Sequence, residues 1–251
     1  MSVRTREYYL SEPSVGLGAG FFNSVAQQHK FGHNGDVGAT LETLWGEGGI
    51  YVYPAAATIM QVSSSDVDDD LGGSGATTIS ILGMDANYNE QTEDVILDGQ
   101  SQVPTAKAYL RVYRMKVLTA GASLWNEGTI YIGTGAPTTG KPSTVYGLIE
   151  PFQNQTLMAL YTIPTGFRGY VVQTLFTSSV AKQVACGLYA RPEGGVFNIQ
   201  EYTSLISGDV RMPHTTTSVF EPHTDIEARA SAGGAGGDVS CQFEVVLVRL
   251  P

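Results

Sequence analysis

Charge is scarce in this chain. Only 15% of its 251 residues are Asp, Glu, Lys or Arg, against roughly 25% in an ordinary soluble domain. A free monomer normally keeps a charged surface for solubility. The shortage therefore points to surface that faces a partner or another copy of the chain; the alternative is that uncharged Ser, Thr, Asn and Gln do the solvating. The 14 Lys and Arg are scattered and the formal net charge is −10. No basic run interleaved with aromatics occurs, so direct binding of nucleic acid lacks its electrostatic footprint. No apolar run approaches the roughly 20 residues of a membrane-spanning helix. The first residues, MSVRTREYYLSEPSVGLG, have no apolar segment of a secretory signal, so neither a membrane nor an export route is expected. Cys186 and Cys241 are the two cysteines, each in an apolar strand-like run. Buried free thiols are the expectation, and one disulfide between adjacent strands is the alternative.

Catalytic signatures are missing as well. There is no GxSxG elbow, no HExxH and no Cys–His context, so a nucleophile with its base cannot be assembled. His29 and His33 stand four apart but have no third ligand nearby, and Gly32 between them weakens a helix. His214 and His223 flank a strand-like run and read as edge residues. The glycines of GAGFF and GTGAP lack the strand–helix setting of a phosphate loop. Asp66, Asp68, Asp69 and Asp70 crowd carboxylates into five residues, and oxygen donors of this kind suit Ca²⁺. An EF-hand is not met, because Leu71 stands where the sharp-turn Gly belongs and Thr77 where the closing Glu does. Asp66, Asp68 and Asp70 remain a calcium candidate, with a solvated acidic loop as the simpler reading. No cofactor, no transition metal and no enzymatic turnover are expected. Trp45, Trp125 and the 13 tyrosines leave sugar stacking on a rim open.

What the chain has in quantity is glycine and short β-prone runs. Its 30 glycines are roughly 12% of the residues, above the usual ~7%. From Ala39, runs such as ATIMQVSSS, ATTISILGM, KAYLRVYRMKV and TIYIGTG are separated by turn residues. After Ser143 come TLMALYTIP, GYVVQTLFTSS, QVACGLYARP and VSCQFEVVLVRL, among others. Strand spacing of about 8–12 residues predicts an all-β protein of antiparallel sandwiches, jelly-roll-like in the second half. The glycine- and proline-rich stretch at 134–143 reads as a linker. The expected organisation is an extended N-terminal arm at 1–38, a first sandwich at 39–133 and a second at 144–251. Neither period 2 nor period 3.6 is sustained in the arm. Its Tyr8, Tyr9, Phe21, Phe22 and Phe31 are too apolar for water and are expected to dock, on the parent domain or on a neighbour.

Two stretches carry a resemblance. Residues 45–117 combine an acidic glycine-rich turn, the strand ISILGMD, and a threonine- and acid-rich strand ending in Leu97-Asp98-Gly99. Residues 220–248, FEPHTDIEARASAGGAGGDVSCQFEVVLV, form an entry, a strand, a small-residue turn and a closing apolar strand. Both resemble segments of virion structural proteins of tailed bacteriophages, many of them marine and uncharacterised. The resemblance implies a component of a phage particle, capsid-associated in the manner of a decoration, cement or minor capsid protein. It implies a homo-oligomer with other virion proteins as partners, located in the virion after assembly in the host cytoplasm. A head–tail connector, tail or fibre subunit with glycan-binding rim aromatics is the alternative.

Overall fold

The computed structural model describes residues 16, 18, 20, 22, 24–214, 218–234 and 236–251. Seventeen strands are named, and every pairing between them is antiparallel. They make four sheets in two stacked pairs. The larger pair takes β1 (Val25–Asn34), β2 (Glu42–Thr43), β10 (Leu160–Thr162), β11 (Phe167–Ser178), β12 (Val184–Arg191), β13 (Asn198–Leu205), β14 (Gly208–Pro213), β15 (Val219–Phe220), β16 (Asp225–Ala232) and β17 (Val239–Arg249). One of its sheets runs β1-β17-β11-β14, with β15 also on β11; the other runs β10-β16-β12-β13, with β2 also on β16.

The smaller pair takes β3 (Thr58–Ser64), β4 (Ala76–Met84), β5 (Glu90–Ile96), β6 (Val103–Tyr109), β7 (Arg111–Ala120), β8 (Ile130–Thr138) and β9 (Lys141–Ile149). Its sheets run β6-β3-β8-β9 and β5-β4-β7. Each pair has an apolar filling of its own, and Met84 and Tyr113 of the smaller pair reach into that of the larger. Met60, Ile79, Ile81, Met115, Ile130 and Ile132 are fully buried in the small sandwich, while Phe176, Phe243, Val245, Leu188 and Ile226 lie in the large one. Burying each such side chain is worth about 1.5–3 kcal/mol. Cys186 and Cys241 are buried free thiols of the large core.

Three boundaries differ from the sequence expectation. The segment 25–34 is a full strand along β17, from Val25 opposite Val248 to Asn34 opposite Val239. Its inward positions are Lys30, Gly32 and Asn34, all buried, so no apolar alternation betrays it. Gly32 is needed there, because a Cβ would come within 2.2 Å of the Ala159 nitrogen and the Leu44 oxygen. Second, residues 134–143 are the tip of the β8–β9 hairpin, with Thr138 opposite Lys141 and left-handed Thr139 and Gly140 between them. Glycine and proline mark a hairpin turn as readily as a linker. Third, KAYLRVYRMKV is two strands, since the chain leaves one sheet after Tyr109 and enters the other at Arg111.

The small sandwich is thus an insertion. Residues 39–53 belong with the large sandwich, and the chain returns to it at Met158. The two ends of the insertion lie side by side on β16: β2 pairs at Arg229 and Ala230, and β10 at Asp225–Glu227. Between them Leu44 donates to the Ala228 carbonyl and Ala228 to the Ala159 carbonyl, both at 2.9 Å, while Ala159 donates to the Leu44 carbonyl at 2.9 Å.

A buried ion pair fixes the two sandwiches together. Arg111 at the start of β7 donates to both Asp225 oxygens on β16, at 2.8 and 3.1 Å. Asp225 also receives Arg191 at 2.6 Å and the Thr162 hydroxyl at 2.6 Å. Burial works against the Arg111 charge, yet its bond to Asp225 carries the guanidinium pKa above the ordinary arginine value. Removing Arg111 leaves Asp225 with Arg191 and Thr162 alone, and takes away both charged bonds that cross the junction. Arg111→Met is therefore expected to lower stability by about 1.5–3 kcal/mol, measured by chemical denaturation; a change within ~0.5 kcal/mol, the range of an ordinary surface substitution, would refute the role. Burial also pushes the Cys186 thiol up to about 12 and holds Cys241 well above its ordinary value. Neither thiol is expected to react with an aromatic disulfide reagent in the native state, whereas both should titrate in guanidinium.

Candidate docking surface at the loop tip

The acidic segment predicted as a calcium candidate sits at one end of the small sandwich, and its carboxylates turn onto backbone. Asp66 accepts from the Asp68 nitrogen at 2.9 Å, and Asp70 from the Gly72 nitrogen at 2.6 Å. Both are local turns closed by an aspartate side chain. Asp69 is fully buried. It accepts from the Ser64 hydroxyl at 2.6 Å, the Ala76 nitrogen at 2.8 Å, and the Glu127 and Gly128 nitrogens at 2.9 Å each. Four donors satisfy it without a cation. Among the described residues, no group of three His, Cys, Asp or Glu side chains could hold a metal ion.

Asp69 ties the β3–β4 loop to the β7–β8 loop. A second tie joins the β7–β8 loop to the segment after β9. The Asn126 nitrogen donates to the Asn154 side-chain oxygen at 3.1 Å, and the Asn154 nitrogen to the Asn126 side-chain oxygen at 3.0 Å. The Asn126 amide also reaches the Gly128 and Glu150 carbonyls at 2.7 and 2.8 Å. Gly121 closes the group: its nitrogen donates to the Gly75 carbonyl at 2.7 Å, and a Cβ on it would meet the Gly73 oxygen at 2.3 Å.

These ties hold an apolar surface out in water. Leu71 is 70% exposed, Leu124 74%, Phe152 61% and Trp125 45%. The Trp125 and Phe152 rings meet edge to face, 5.8 Å between centroids at 88°. Leu124, Phe152 and Asn154 have φ of 67°, 65° and 56°, a conformation costing about 1–2 kcal/mol for a residue with a Cβ. Strain kept in place by a surrounding hydrogen-bond network is a mark of functional sites. Chemically this tip offers contact and stacking; it assembles no acid, base or nucleophile.

Of the predicted interface residues, Phe22 and Phe31 are described. Tyr8, Tyr9 and Phe21 lie outside the described residues. Phe22 is half-buried. Phe31 is used within its own chain: its ring lies 5.6 Å from that of His29, the Arg114 guanidinium stands 5.5 Å above it, and it lines a shallow groove of about 430 Å³ with Leu157 and Leu175. Sequence reasoning noted Trp125 but missed Leu124 and Phe152. The available signal was an apolar residue beside Asn or Gly in a turn.

No protein-family model and no curated protein matches this chain. Among solved structures it is similar to the infectious bursal disease virus Gx strain, at 12% identity, TM-score 0.23, over 90% of this chain and 73% of that one. T=1 particles derived from infectious bursal virus match at 14% identity and TM-score 0.22, over 90% and 70%. The VP2 subviral particle of infectious bursal disease virus matches at 13% and 0.20, over 90% and 77%.

The tip separates framework from contact residues. Asp69→Asn sets an amide N–H against backbone donors and is expected to cost about 3 kcal/mol. Trp125→Ser and Phe152→Ser, on exposed positions, should stay within about 0.5 kcal/mol of the parent. Urea titration distinguishes them; equal losses for all three would refute the division.

Proposed function

We propose that this chain is a structural component of a bacteriophage particle, a capsid-associated protein of decoration, cement or minor-capsid type. In this reading it is no enzyme and takes no cofactor; it works by self-association and by docking on other virion proteins, and it resides in the virion. One observation carries the reading. We read the layers β1-β17-β11-β14 and β10-β16-β12-β13 as those of a jelly roll, in which two Greek keys wrap eight strands. That architecture serves capsid proteins among other uses. The low charge and the resemblance of residues 45–117 and 220–248 to phage virion proteins support the same reading. The inserted small sandwich carries the apolar tip, and its locked attachment gives that tip a fixed direction.

A second reading, a fibre or tail subunit that binds glycans, is favoured by the Trp125–Phe152 pair, since sugar rings stack on exposed aromatics. Proteomics of virions purified from the encoding host or its phage tests the main reading. The chain should co-sediment with particles at a stoichiometric ratio, and Trp125→Ser with Phe152→Ser should reduce its incorporation. Absence from purified particles would refute it, and saturable binding to a glycan array that the same substitutions abolish would favour the second reading.

A further inference from the structure

The open edges of the sheets are not alike. An edge strand presents unpaired N–H and C=O groups, and proteins guard such edges with charge, proline, short length, an inward charge or a cover. Most edges here are guarded in one of these ways. On β1 the charge is the inward Lys30, fully buried, and the edge is covered: Arg114 donates to the His29 carbonyl and His33 donates to the Leu157 carbonyl at 3.4 Å. β10 has only three residues. β14 carries Asp209, Arg211 and Pro213. In the small sandwich, β6 has Pro104 and Lys107, β9 has Lys141 and Pro142, β5 begins at Glu90 and includes Glu93 and Asp94, and β7 carries Arg111, Arg114 and Lys116.

β13 differs. Its sequence, NIQEYTSL, holds no proline and one charge. That charge, Glu201, is turned inward, 12% exposed and 2.8 Å from the His214 Nε2. What faces water is uncharged: Ile199 is 55% and Tyr202 61% exposed, with Ile206 beyond the strand end at 63%. A bulge at Gln200, between the pairs Leu188–Glu201 and Tyr189–Ile199, leaves Glu201–Leu205 as the regular stretch. Among the described residues, no backbone bond outside the β12 pairing reaches it.

We propose that β13 pairs antiparallel with β13 of a second copy, joining the two β10-β16-β12-β13 sheets across a two-fold axis at Thr203. The inference rests on the assembly reading above and names the self-association surface within it. Self-complementarity selects the occupant, and charge permits it at this edge. A chain of net charge −10 repels its copy over most approaches, and the repulsion is weakest where the contact is uncharged. A two-fold contact is self-complementary: with the axis at Thr203, Tyr202 stands opposite Ser204 of the partner subunit, and Glu201 opposite Leu205 of the partner subunit. No like charges meet.

Sedimentation equilibrium of the full chain tests this, alongside Tyr202→Lys with Ser204→Lys, which sets like charges opposite each other at exposed positions. The parent should dimerise, and the double variant should dissociate about tenfold or more readily. Ile96→Lys, on the exposed β5 edge, should leave the dimer unchanged. As a check independent of the lysines, mixing Tyr202→Cys with Ser204→Cys under oxidation should yield a disulfide-linked heterodimer, because Cys186 and Cys241 are buried. A monomeric parent, a dimer that survives the lysine pair, or no crosslink in the mixture would each overturn the proposal. Loss of the dimer on deleting residues 1–15 would place the N-terminal segment on this edge instead, and so overturn it too. A monomer that still co-sediments with virions sinks this inference alone, whereas a β13 dimer absent from virions sinks only the virion reading.

Discussion

The Asp225 carboxylate, buried on β16 between two guanidiniums, is the constraint on which the arrangement of the two sandwiches depends. Arg111 comes from the small sandwich and Arg191 from the large one, so the carboxylate is shared across the junction. Arg111 is further held by the carbonyls of Leu110 and Pro54 at 2.9 and 3.3 Å, and its guanidinium stands 4.8 Å over the Tyr53 ring. Arg191 stands 4.6 Å over the same ring. Desolvating such charges is expensive, and the expense is offset only where geometry is good and the remaining donors are satisfied. Here they are, which restricts the small sandwich to one orientation.

Further polar bonds cross the junction beside the apolar packing of Met84 and Tyr113 against the large core. Glu90, at the start of β5, accepts from the Tyr113 and Tyr161 hydroxyls at 2.9 and 3.0 Å, one from each sandwich. Glu227 accepts from the Tyr53 hydroxyl at 2.8 Å and from Thr43 at 3.2 Å. Burial raises the Glu227 carboxyl pKa while Arg229 and these donors pull it back. Lys30 donates to the Tyr113 carbonyl, and burial, with Arg114 nearby, holds its ammonium pKa well below the ordinary lysine value. Apolar surface alone would let two sandwiches slide; directional bonds of this kind do not. The consequence is that the tip at Trp125 and Phe152 is held in a fixed direction relative to β16.

The sequence by itself determined the class of the fold. An alternating run such as Val239–Leu247 is a strand wherever it packs, because one face must be buried and the other left nearer water, and the turn residues between such runs leave room for nothing longer. It also determined that Cys186 and Cys241 lie in the interior. The tertiary structure decided what depends on distant partners. Residues 25–34 are a strand because β17 and the Leu44–Ala159 contact accept Lys30 and Gly32 inward, a pairing across more than 200 positions. Asp69 is a framework residue, although three acidic neighbours in sequence look the same, because its side chain alone points at four donors from two loops. Where a hairpin ends and a linker begins could not be read from Gly140 and Pro142, since the same dihedral freedom serves both. The insertion, the guarded edges and the exposed tip were settled by which surfaces meet, and that is a property of packing at long range.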